Sequence, residues 1–188
     1  MLTNAQNDSR VTADVPLPAI AGSLDFESEA MPHLNDLYRT ALHICPQSAK
    51  ASDVVQETYL RAWIAFGKYR PRTNCKRWLF QILFNVVRFE RQTCVTRILE
   101  GSGPLDQAER VGLGNVPGGN NVISALSSVP MDYREVLLLV DCQGFSYKEA
   151  AEILGLSSQI VARHIVFGRN HLHSELEARR STLAAAAY

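Results

Sequence analysis

The chain has 188 residues, 46% of them hydrophobic and 20% charged, which suits one ordinary domain or two small helical ones. Nineteen basic and nineteen acidic side chains cancel, so the overall charge points to no partner. No apolar run approaches the ~18 residues of a membrane span, and the first 22 residues lack the positive start and apolar stretch of a secretory signal.

The neutrality is a sum of opposed blocks. Residues 1–57 carry three basic and eight acidic groups, and residues 58–99 carry nine and one. Residues 100–156 return to three and eight, and residues 157–188 carry four and two. A partner that meets only the second block meets a net charge of +8, so a polyanion is expected there. Cys45, Cys75, Cys94 and Cys142 are scattered without a CxxC, which predicts free thiols in a reducing compartment. The five histidines have no metal-ligand spacing, and neither a metal nor a cofactor is expected.

In chain order, residues 1–24 read as a flexible tail. Residues 25–45 have apolar positions at helical spacing, among them Leu34, Leu37, Tyr38, Ala41 and Leu42. Residues 51–66 predict a second helix, with Ser52 as N-cap, Val55, Tyr59, Ala62, Trp63 and Phe66 on one face, and Gly67 as its end. After a loop containing Pro71, residues 75–93 predict a third helix with Trp78, Leu79, Ile82, Leu83, Val86 and Phe89 inward. Residues 100–121 are rich in Gly, Pro and Asn and read as a flexible linker. A second module over 122–178 holds a short helix, a break at Pro130 and a helix ending at Gly144. It continues with a compact helix capped by Ser146 with Glu149 at the capping-box position, a turn at Gly155, and a long last helix. Residues 179–188 read as a C-terminal tail. The expected fold is all-α: two small helical domains, 25–99 and 122–178, joined by the linker.

Three constellations carry chemistry. Asp53, Gln56, Glu57 and Arg61 form a polar stripe opposite the apolar face of their helix, a docking surface for a partner helix. Lys68, Arg70, Arg72, Lys76, Arg77, Arg88 and Arg91 are interleaved with Tyr69, Trp78, Phe80, Phe84 and Phe89. Cations neutralise phosphates and aromatic faces accept unstacked bases, a combination suited to melting DNA. The last two helices have the arrangement of a helix-turn-helix. The second of them supplies Gln159, Arg163, His164, Arg169, Asn170 and His171 toward a major groove. No Ser-His-Asp, metal or phosphate-loop signature is present, so an enzyme is not expected.

SDVVQETYLRAWIAF, then YRPRTNCKRWLFQILFNVV, then a linker and LSSVPMDYREVLLLVDCQGFSYKEAAEILGLS, resemble the two halves of an extracytoplasmic-function (ECF) sigma factor of the sigma-70 family. The resemblance covers roughly residues 30–98 and 122–176. It implies a cytoplasmic protein that binds core RNA polymerase, at the β′ clamp helices and the β flap, and directs promoter recognition and melting. It places Asp53, Gln56, Glu57 and Arg61 on the polymerase. It places Tyr69, Arg70, Arg72, Asn74, Lys76, Arg77, Phe84, Asn85, Arg88 and Arg91 on the −10 element, where a non-template base is flipped out. Ser146, Lys148, Ser157, Ser158, Gln159, Arg163, His164 and Arg169 fall to the −35 element. An anti-sigma partner that clamps the two modules together is also implied.

One stretch departs from the family. Its recognition helix is usually dense in arginine, whereas IVARHIVFGRNHLH holds only Arg163 and Arg169, with Val166, Phe167 and Gly168 between. This predicts weak −35 binding by the module alone and makes Val166 and Phe167 candidates for a protein contact. Two other readings are a sigma-like mimic that opens no promoter and an ordinary helix-turn-helix regulator. The second would have no use for the docking stripe.

Overall fold

A computed structural model describes residues 20–45, 47–69, 74–99 and 121–185, and these are helical throughout apart from short turns. Helices α1 (Ile20–Ala30), α2 (Leu34–Ile44), α3 (Ser48–Ala65) and α4 (Cys75–Leu99) form the first half. Helices α5 (Asn121–Ser128), α6 (Met131–Leu137), α7 (Tyr147–Leu154) and α8 (Ser158–Ala185) form the second.

Local chemistry sets most boundaries. The helix expected over 25–45 is two helices, broken by a 3-10 turn at Met31–His33. Pro32 sits in that turn, where its missing N–H and fixed φ are tolerated. Ser52 does not cap α3, which starts a turn earlier at Ser48; its hydroxyl bonds back to the Ser48 carbonyl at 3.1 Å. The capping box of α7 forms as expected. The Ser146 hydroxyl accepts from the Glu149 N–H, and the Glu149 carboxylate accepts from the Ser146 N–H. Gly155 closes α7 at φ +67°, where a Cβ would be strained. α6 continues into a π turn, Leu138–Cys142, and Gly144 at φ +75° releases the chain toward α7.

Helix α1 begins inside the stretch 1–24 expected to be a tail, and α8 runs to Ala185 through most of the expected C-terminal tail. No Gly or Pro occurs between Gly168 and Ala185, so residues 179–185 simply continue the helix. Residues 1–19 and the expected linker, apart from residue 121, lie outside the described residues.

The main departure from expectation is the core. Leu37, Ala41, Val54, Leu79 and Leu83 fill the first half; Val136, Leu137, Leu139, Ile153, Val161 and Ile165 fill the second. These are one continuous apolar cluster and not two. The seam runs along α4, where Phe80 is fully buried and meets the Phe145 ring edge-on at 5.2 Å. Two rings buried this way stabilise by several kcal/mol, at ~25 cal/mol per Å² of apolar surface.

Candidate nucleic-acid interface

The stripe on α3 is outward-facing. Asp53 and Gln56 are exposed, and Glu57 and Arg61 pair at 2.7 Å on the half-exposed flank. Arg61 also lies over the Phe89 ring at 5.7 Å, tying the stripe to α4. Two features there escape sequence patterning. Leu60 and Ile64 stand exposed beside the stripe, at 54% and 73%. An apolar cleft of about 540 Å³ opens between α1, α2 and α3, lined by Phe26, Met31, Leu34, Tyr38, Gln56 and Trp63. Its signal was present in the sequence only as Met31 and Leu34, apolar residues beside a proline break. Behind the cleft, Tyr59 donates to the Ala30 carbonyl at 2.8 Å, and burial pushes its hydroxyl up to about 12.

The basic block divides. Arg70 and Arg72 lie outside the described residues. Tyr69 is stacked on Phe66 and packed on Trp78, with ring centroids 5.5 and 4.6 Å away, an aromatic cluster that is only half-buried. The Asn74 side chain accepts from the Arg77 N–H at 3.1 Å and so starts α4 as a cap. Asn85 is exposed.

Four described cations of α4 reach the second half. Lys76 bridges Asp36 at 2.9 Å and the Gln143 carbonyl at 3.3 Å, with its ammonium over the Phe80 and Phe145 rings. Arg77 pairs with Glu152 at 2.6 Å. Arg88 donates to the Leu154 carbonyl at 2.9 Å, at the C-terminal end of α7 where a helix favours a cation. Arg91 pairs with Glu135 at 2.8 Å. Burial pushes the Glu135 carboxyl up, against the opposing pull of Arg91. Phe84, expected to meet DNA, is 2% exposed and belongs to the core. α2 is drawn in as well. Gln143 donates to the Thr40 hydroxyl at 3.1 Å, and Arg134 donates to the carbonyls of His43, Ser127 and Val129.

The helix-turn-helix is formed by α7, Gly155–Ser157 and α8. Ser157 accepts from the Ile160 N–H at 3.3 Å and caps α8, as Ser146 caps α7, so both hydroxyls hold helix ends. Lys148, Ser158, Gln159 and Arg163 are exposed. His164 is half-buried against the edge of Tyr133 at 5.0 Å. Arg169 is held by both oxygens of Asp141, at 2.6 and 3.1 Å, on the π turn.

Two families match this chain: Sigma-70 region 2 over residues 30–90 and Sigma-70, region 4 over residues 120–172. The ECF RNA polymerase sigma factor EcfG of Rhodopseudomonas palustris is 30% identical over 142 residues, covering 72% of this chain and 76% of that one. SigM of Bacillus subtilis is 31% identical, over 66% and 78%. The chain belongs to the ECF RNA polymerase sigma factors of the sigma-70 family.

The fold agrees. The sigma factor RpoE of Bartonella quintana, solved with the anti-sigma factor NepR, superposes with a TM-score of 0.70 at 26% identity, over 81% of this chain and 97% of that one. CnrH, solved with the cytosolic domain of CnrY, gives 0.60 at 28% identity, over 83% and 90%. The first half, α1 to α4, contains the match to region 2, and the second half contains the match to region 4. As a sigma factor the chain serves promoter recognition in transcription initiation, in a family whose members are not enzymes. Among the described residues, no helix is long and apolar enough to cross a membrane.

Proposed function

We propose that this sigma factor docks on core polymerase through Asp53, Gln56, Glu57 and Arg61, and engages the −10 element through Tyr69, Arg70, Arg72, Asn74, Lys76, Arg77, Asn85, Arg88 and Arg91. The −35 element falls to Lys148, Ser158, Gln159, Arg163 and neighbours on α7 and α8. The protein works in the cytoplasm, and an anti-sigma partner holds it out of use. RpoE of Bartonella quintana was solved with the anti-sigma factor NepR, and CnrH with the cytosolic domain of CnrY, which supports the last point.

The observation that carries this reading is the different fate of two faces of the first half. The α3 stripe is open to a partner. The α4 cations are covered by Glu135, Glu152 and the Leu154 carbonyl. A phosphate backbone is the natural competitor for cations held by carboxylates, so promoter engagement by α4 requires the halves to part. A partner that keeps them together blocks that step.

Run-off transcription with core polymerase is the test. Arg77→Ala with Arg88→Ala is expected to lower promoter opening at least tenfold while leaving core binding unchanged. Asp53→Ala with Gln56→Ala is expected to weaken core binding itself. Equal loss of both properties in the arginine pair would overturn the division of roles.

A further inference from the structure

The exposed face of α8 holds an apolar pair amid polar donors. Gln159, Arg163, Val166, Phe167 and Asn170 are all exposed. At 3.6 residues per turn they share an arc of about 100°. Val166 is 57% exposed and Phe167 52%. The Phe167 ring does not hang free: it stacks on Tyr133 at 6.0 Å with an interplanar angle of 28°. Gly168 lets α8 approach α6 so closely that a Cβ would lie 3.0 Å from Leu137 and 3.3 Å from Tyr133. Arg169 is turned off this face to Asp141. Arg163 stays on it and enters no ion pair among the described residues.

We propose that Val166 and Phe167 read thymine C5-methyl groups in the promoter's major groove. The inference rests on the reading of α8 as the helix that contacts the −35 element, and it names the base chemistry recognised there. An apolar side chain cannot donate to guanine O6 or N7, nor accept from cytosine N4. The thymine methyl is the base-edge feature that rewards apolar contact. From Gln159 to Phe167 the helix rises ~12 Å, matching the ~12 Å width of the groove. The polar reader near the helix start and the apolar pair thus address different base pairs of one site. Charge favours DNA over a protein surface. No Asp or Glu occurs between Glu152 and Glu175, and the pair is framed by Gln159, Arg163 and Asn170.

The test uses holoenzyme assembled from core polymerase and the full chain. Promoter DNA is selected from a library randomised across the −35 segment. Each thymine of the selected sequence is then replaced by uracil, which removes only the methyl. Thymine is expected to be enriched at one or two positions, and each uracil to weaken binding about threefold to fivefold, the worth of one buried methyl. Val166→Ala with Phe167→Ala should abolish that sensitivity while the chain stays folded, with a melting temperature lowered only by the lost stacking of Phe167 on Tyr133. Phe167→Arg should move the preference toward guanine.

Uracil and thymine promoters that bind alike, with Arg163→Ala still weakening binding, would overturn the methyl reading and leave α8 as the DNA helix. No enrichment at any position, with Arg163→Ala also silent, would overturn both. Loss of core binding in Val166→Ala with Phe167→Ala, measured without DNA, would assign the pair to a protein contact and also overturn the inference.

Discussion

At the scale of single residues, several side chains have roles opposite to their usual ones. Gly168 should weaken a helix by about 1 kcal/mol relative to alanine. It instead lies tight against α6, where a Cβ would sit 3.0 Å from Leu137, which is 2% exposed. Gly168→Ala is expected to lower stability by about 1 kcal/mol, because overpacking costs roughly 1–3 kcal/mol and outweighs the propensity gain. In a Leu137→Ala background the same change should be neutral or stabilising, and chemical denaturation of the four variants checks it. His43 behaves as a half-buried base. Burial and then Arg134 push it below its ordinary 6.5, and burial with Lys76 does the same to His33. A base whose folded pKa is depressed stabilises the fold above the unfolded value, and that contribution is lost as pH falls through the folded value. The melting temperature should therefore drop as pH is lowered below about 6.5, and His43→Gln should flatten part of that drop.

At the scale of elements, caps and turns account for the helix-turn-helix. Ser146 and Glu149 satisfy each other's backbone N–H groups, and hydrogen bonds from Ser146 hold the Glu149 carboxyl below the usual range. Ser146→Ala is expected to cost about 1 kcal/mol of stability, read by thermal melting. These elements were legible in the sequence. Capping residues, αL glycines and the 3.6-residue repeat act over a few positions, and a local signal is enough. Pro32 was equally local, yet the periodicity of Leu34 to Leu42 masked the break before it. Ser52 was misplaced because a capping residue also fits one turn inside a helix, where it bonds back to a carbonyl.

At the scale of the whole molecule, the halves are joined by contacts of two kinds. The ion pairs of Arg77 and Arg91 are partly exposed, at 35% and 41% for the arginine side chains, and each contributes under about 1 kcal/mol. Phe80 on Phe145, with Lys76 over both rings, supplies the larger apolar part. The pairs are thus weak enough to exchange a carboxylate for a phosphate, while the rings hold the resting position. Glu152→Arg sets two cations face to face. It is expected to raise the radius of gyration in small-angle scattering without changing helix content by circular dichroism. An unchanged radius would mean that the rings alone hold the halves.

The sequence by itself determined an all-α chain, the helix-turn-helix, the basic block and the family, because helix periodicity, caps and charge are properties of neighbours along the chain. Only the tertiary structure decided where the charges of that block go. Arg77 and Glu152 are 75 residues apart, and Lys76 and the Gln143 carbonyl are 67 apart. No periodicity connects such pairs. It also decided that Phe84 is core, because α4 is apolar around most of its girth and the neighbour that covers its second apolar face arrives from beyond residue 121.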